Sequence, residues 1–90
     1  MVVIERAVPI VNALGLHARP AAEFVKTAGR FKASVRVRKD ELEVNGKSIM
    51  GMMMLAAECG SRLTIRVEGE DAEAVIEALA ALIAAGFGED

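Results

Sequence analysis

Gly15-Leu16-His17-Ala18-Arg19-Pro20 is the stretch at which the chain changes period. Before it, Val2 to Val11 is apolar and β-branched, with Ile4, Val8 and Ile10 on one face of an expected strand. Pro9 cannot donate to a ladder, which places that strand at a sheet edge. After it, Ala18, Ala21, Ala22, Val25 and Ala28 recur at helical spacing and predict a helix from Ala18 to about Gly29 with those residues as its buried stripe. Pro20 fits the first turn of that helix, where backbone N–H groups have no intrahelical partner. His17 then falls at or near the N-cap, beside free amides and the positive end of the helix dipole, a ready site for an anion. Gly15 allows positive φ or a close backbone approach, and the fork of the Arg19 guanidinium matches phosphate oxygens.

The remaining elements follow from their own patterns. Val35 and Val37 alternate with Arg36 and Arg38, and Leu42 and Val44 alternate with Glu43 and Asn45. These are two antiparallel strands turned at Lys39 to Glu41. Ser48 to about Leu55 reads as a short helix with Ser48 as its N-cap, although Gly51 stands where a capping box would place Glu or Gln. Arg62 to Glu68 is a fourth strand with Leu63, Ile65 and Val67 inward. Glu70-Asp71 opens a last helix whose buried stripe is Ala72, Val75, Ile76, Leu79 and Ile83; Gly86 stops it, and Phe87 to Asp90 reads as a short acidic tail. The order is β-α-β-β-α-β-α, and strands of alternating polarity imply an α+β sheet wet on one face and covered by helices on the other.

Bulk properties narrow the function. Ninety residues with 53% hydrophobic content make one domain, 1–90. A net charge of −2 and only three aromatic residues, all Phe, argue against a nucleic-acid surface. A single cysteine, Cys59, cannot form an internal disulfide, and neither a signal peptide nor a membrane-length apolar run is evident, so a cytoplasmic protein with no membrane insertion is expected. One histidine and one distant cysteine make no metal site.

His17 is the candidate for chemistry. A lone histidine is structural by default; the helix start, Arg19 two residues on and Gly15 point the other way. A largely neutral imidazole could attack a phosphoryl donor without a separate base. Ser48 is the second candidate, as an N-cap worth about 1 kcal/mol or as a regulatory phosphorylation site adding roughly −1.5 to −2 charges. Gly46-Lys47-Ser48 looks like the tail of a P-loop, but Glu41 occupies the position of that motif's first glycine, which rules it out. In Ile49-Met50-Gly51-Met52-Met53-Met54 the helix is apolar all round, so some of Ile49, Met50 and Met53 must be exposed, as on an adaptable docking surface.

Gly15-Leu16-His17-Ala18-Arg19-Pro20-Ala21 and Gly46-Lys47-Ser48-Ile49-Met50-Gly51 resemble, in order and separation, the two signatures of HPr-type phosphocarrier proteins of the bacterial phosphotransferase system. The resemblance spans essentially the whole chain. The Asn12-Ala13-Leu14-Gly15 lead-in and the Gly86-Phe87-Gly88-Glu89-Asp90 tail are more similar to the nitrogen-related NPr branch than to the sugar branch. The resemblance implies an open-faced β-sandwich: a four-stranded antiparallel sheet in order 1-4-2-3 with three helices on one face. It implies that His17 accepts a phosphoryl group on Nδ1 from phosphorylated Enzyme I, charged by phosphoenolpyruvate, and hands it to a IIA protein or domain. Arg19 would orient the phosphoryl oxygens, Ser48 would be the target of an HPr kinase/phosphorylase in organisms that have one, and Ala18, Ala22, Ile49, Met50 and Met53 would dock partners. Such a protein is a monomeric carrier with a covalent phosphohistidine intermediate, without a cofactor, and not a stand-alone enzyme. Two rival readings of the same residues are a non-catalytic module read through Ser48 and the Met surface, and a small-ligand domain, for which so short a chain leaves little room for a pocket.

Overall fold

The computed structural model describes residues 2–89. Its elements are β1 (Val3–Pro9), α1 (Ala18–Ala28), β2 (Ser34–Lys39), β3 (Leu42–Asn45), α2 (Ile49–Met54), β4 (Arg62–Glu68), α3 (Ala72–Ala84) and a 3₁₀ turn, Gly86–Gly88. The strands form one antiparallel sheet in the order β1-β4-β2-β3, so β1 is an edge strand, as Pro9 requires. Register puts apolar residues opposite one another on one face: Ile4 against Val67, Val8 against Leu63, Val35 against Val67, and Val37 against both Ile65 and Val44. That face is buried and the helices cover it, while Arg36, Arg38, Arg62 and Arg66 stand on the open face. Burying each large aliphatic of this layer contributes about 1.5–3 kcal/mol, and Leu63, Ile65 and Val67 are fully enclosed. Asp71 ties α3 to the chain before β2, since its carboxylate accepts from the Lys32 and Ala33 amides at 2.9 and 3.0 Å.

The stripe of α3 is the expected one: Ala72, Val75, Ile76, Leu79 and Ile83 are all buried. The stripe of α1 is not. Pro20, Ala21, Phe24 and Ala28 face the core, whereas Ala18 and Ala22 are exposed and Val25 is half-buried. The helix is rotated so that its one aromatic residue fills the interior. Alanines carry too little apolar surface to decide which face turns inward, and Phe24 carries enough. Gly46 makes room for it: a Cβ there would lie 3.2 Å from Phe24 Cε1 and 2.5 Å from Val35 Cγ1.

The expected acidic tail is also corrected. Gly86, Phe87 and Gly88 all take positive φ, at 63°, 57° and 76°. Three left-handed residues in a row turn the chain back after α3, and Phe87 packs into the core at 8% exposure. A bulky residue in this region is uncommon and costs on the order of 1 kcal/mol, which its burial offsets. Asp90, the last residue of that expected tail, lies outside the described residues.

Candidate functional site

The loop between β1 and α1 is held from both sides. Leu16 is buried and its amide donates to the Ala57 carbonyl at 2.7 Å. Gly15, at φ 70°, passes so close to the segment after α2 that a Cβ would sit 2.6 Å from the Ala57 carbonyl oxygen. This approach is available only to glycine, and it fixes where the next residue emerges. His17 is the N-cap of α1, with extended backbone (φ −84°, ψ −170°) and no side-chain capping bond. Its carbonyl accepts from Ala21 at 3.0 Å and starts the helical ladder. The first-turn amides of Ala18 and Arg19 lie before that ladder, and Pro20 has no N–H to leave unpaired. The imidazole is 37% exposed.

The ring is not free at both nitrogens. Nε2 lies 2.9 and 3.1 Å from the two carboxylate oxygens of Glu89, which the folded-back tail brings in. The same carboxylate accepts from Asn12 Nδ2 at 2.9 Å, and Nδ2 also donates to the Gly15 carbonyl at 2.7 Å. Asn12 is the buried polar residue of the core and its Oδ1 has no partner among the described residues. Two acceptors on the Nδ2 side settle the amide's orientation, because a flip would set oxygen against oxygen. Partial burial pushes the Glu89 carboxyl up, but hydrogen bonds from His17 and Asn12 and the positive charges of His17 and Arg19 outweigh it and hold the group below its ordinary value. Arg19 is exposed and shares an open depression of about 390 Å³ with Leu14, Phe87, Gly88 and Glu89. It makes no side-chain hydrogen bond among the described residues, so its fork is available to a ligand in that depression.

Asn12 and Glu89 did not stand out in the sequence. Asn12 belongs to the loop before His17 and carried no assigned role, and Glu89 is 72 positions from His17, beyond any local pattern. The traces were the NPr-like lead-in and tail, which hold the two residues without giving either a role, and Gly-Phe-Gly, where an aromatic residue between glycines marks a turn with something to bury.

Ser48 is the N-cap of α2, and its Oγ accepts from the Gly51 amide at 3.0 Å. Ile49, Met50 and Met53 are exposed at 44%, 77% and 45%, and only Met52 of the helix is buried. Met54 and Leu14 are also exposed large apolar residues. Because α1 packs against α2, exposed Ala18 and Ala22 belong to neighbouring elements of the same helical layer. The open turn that holds Cys59 leaves it exposed, with Sγ 3.8 Å from the Val11 carbonyl. Among the described residues no three His, Cys, Asp or Glu side chains gather as metal ligands would, and no helix is long and apolar enough to cross a membrane.

A family model described as the PTS HPr component phosphorylation site matches residues 4–85. The chain is 45% identical over 86 residues to the phosphocarrier protein HPr of Cupriavidus necator, covering 96% of this chain and 97% of that one. Its fold matches the crystal structure of HPr-C-His from Thermoanaerobacter tengcongensis with a TM-score of 0.93, at 47% identity and with 97% and 98% of the two chains covered. It also matches an HPr dimer from the same organism with a TM-score of 0.78, at 49% identity, covering 91% and 94%. An antiparallel sheet in the order β1-β4-β2-β3, a histidine at the head of α1 and agreement over nearly the whole length of both chains lead to one conclusion: the chain belongs to the HPr family, the phosphocarriers of the phosphotransferase system.

Proposed function

We propose that the chain accepts a phosphoryl group on His17 Nδ1 from phosphorylated Enzyme I and passes it to a IIA protein or domain. The observation that carries this reading is a partly exposed imidazole at the N-cap of α1. It stands beside first-turn amides that an anion would satisfy. Attack by a neutral ring nitrogen on phosphorus needs no separate base. The dipole favours the phosphorylated form by only about 0.3–1 kcal/mol per charge, which suits a carrier that must release its cargo. Arg19, two residues on, lines a depression with Glu89 and carries an uncommitted guanidinium that clamps the phosphoryl oxygens. Residues 1–90 act as one domain, monomeric and cytoplasmic. The test is incubation with phosphoenolpyruvate and Enzyme I. A 1:1 acid-labile, base-stable adduct is expected on the native chain and none on His17→Ala; an undiminished adduct on the variant would refute it. Light scattering of the native chain checks the monomer against the dimeric state that the Thermoanaerobacter tengcongensis structure describes for that protein.

Ala18, Ala22, Ile49, Met50 and Met53 form the docking surface, since exposed Met side chains adapt to several partners. Ser48 is a site for regulatory phosphorylation by an HPr kinase/phosphorylase, where the host has one. It sits at the start of the helix that carries Ile49, Met50 and Met53 of this surface. A phosphate there would not unfold α2, because helix N-termini favour anions, but would place negative charge among the docking residues. Ser48→Asp should weaken partner pull-down while leaving the circular dichroism spectrum unchanged; undiminished pull-down would remove the regulatory role.

A further inference from the structure

We propose that Glu89 is a positioning residue for phosphoryl transfer, acting through Nε2 of His17; this rests on the reading that His17 carries the phosphoryl group. The carboxylate spans Nε2 with both oxygens at 2.9 and 3.1 Å. A carboxylate only accepts, so the ring must donate Nε2–H. The neutral imidazole is thereby held in the tautomer with its lone pair on Nδ1, and its rotation about the side-chain torsions is fixed. Asn12 secures the carboxylate from the other side at 2.9 Å, and is itself buried and bound to the Gly15 carbonyl at 2.7 Å. The chain Gly15–Asn12–Glu89–His17 therefore closes on the loop that delivers the histidine.

The backbone supports a dedicated role for the tail. Gly86, Phe87 and Gly88 are all left-handed, and buried Phe87 anchors the reversal that returns residue 89 to the start of α1. An acidic residue left to solvent would need none of this. During transfer the Nδ1 lone pair forms the new N–P bond. The P–N bond of the donor phosphohistidine breaks, and its electron pair returns to the donor ring. The proton stays on Nε2, so the phosphorylated ring is transiently an imidazolium, and its positive charge meets the Glu89 carboxylate. Passing the group on reverses these steps. One carboxylate thus selects the nucleophilic nitrogen and balances the charge that appears when it reacts, as the carboxylate beside histidine does in hydrolytic triads.

The test uses the full chain with Glu89→Ala and Glu89→Gln. Nitrogen-15 NMR of the unphosphorylated protein, at a pH where the ring is neutral, should show the native proton confined to Nε2 and slowly exchanging. In Glu89→Ala that protection is lost and the Nδ1–H form appears. Phosphoryl acceptance from phosphorylated Enzyme I should fall about tenfold in Glu89→Ala, the order expected for a hydrogen bond to a charged group. Glu89→Gln should retain the tautomer, through its side-chain carbonyl, but not the full rate, because the charge is gone. Ring nitrogen shifts and proton exchange identical in native and Glu89→Ala protein would overturn the inference, as would an unchanged acceptance rate. A native chain that takes no phosphoryl group on His17 would sink the carrier reading instead, and the tautomer measurement, made without phosphate, separates the two failures.

Discussion

Arg19 and Glu89 stand on the rim of one depression with opposite charges, and the two do different work. The guanidinium has no side-chain hydrogen bond of its own to lose among the described residues. Arg19→Ala should therefore leave thermal stability within about 0.5 kcal/mol of native, as exposed substitutions do. Phosphoryl transfer should slow roughly tenfold to hundredfold, less than the loss of a fully buried oxyanion donor. Rapid-quench transfer assays beside thermal melts would check this, and a melt that falls in step with the rate would contradict it. The carboxylate, in contrast, is committed within the folded chain. Its folded-state pKa lies below the ordinary 4.5, so its contact stabilises the fold above that value and is lost as pH falls through the lower folded one. Melting temperatures of native and Glu89→Ala protein should differ at pH 6, and the gap should narrow steadily as the pH is lowered through the carboxyl range. A gap that widens in acid would reverse the sign of the linkage.

Among the elements, legibility followed the amount of local signal. In α3, Val75, Ile76, Leu79 and Ile83 are large and regularly spaced, and the helix took the face they dictate. In α1 the signal came mostly from alanines, and one Phe at position 24 outweighed them. β1 was placed at the sheet edge by a single proline, and there it lies. The short helix α2 was readable from its cap. Its Ser48 bond to the Gly51 amide is the side-chain contribution that fixes where the helix begins. With only six residues, that helix lacks the length to sustain itself without packing or capping. Ser48→Ala should cost about 1 kcal/mol and lower the melting temperature by roughly 4–8 °C. The proposed docking surface should suffer first, because α2 carries Met50 and Met53. Calorimetry on the pair of proteins gives the number, and an unchanged melt would show that tertiary packing alone sets the helix start.

For the whole molecule, what the sequence withheld is what long separation creates. The tail reaches the β1–α1 loop, and Glu89 meets Asn12 and His17 there only because the chain turns back after α3. The core is likewise joined across the chain at one close approach: Gly46, after β3, lies against Val35 of β2 and Phe24 of α1. A chain of this size has only about 5–13 kcal/mol of stability in all, so a single misfit there matters. Gly46→Ala puts a Cβ 2.5 Å from Val35 Cγ1, and the nearest other atoms are Val35 Cβ and Phe24 Cε1 at 3.1 and 3.2 Å. Overpacking of this kind costs about 1–3 kcal/mol. Val35→Ala removes the methyl in conflict and by itself leaves a cavity. Combined with Gly46→Ala, the added methyl occupies part of the vacated space, so the double variant should lose less than the two single losses added, by about 0.5–3 kcal/mol. Denaturant melts of the four proteins complete the cycle. Strict additivity would mean that the sheet shifts to admit the alanine, and that this junction does not govern how α1, and His17 at its head, sit on the sheet.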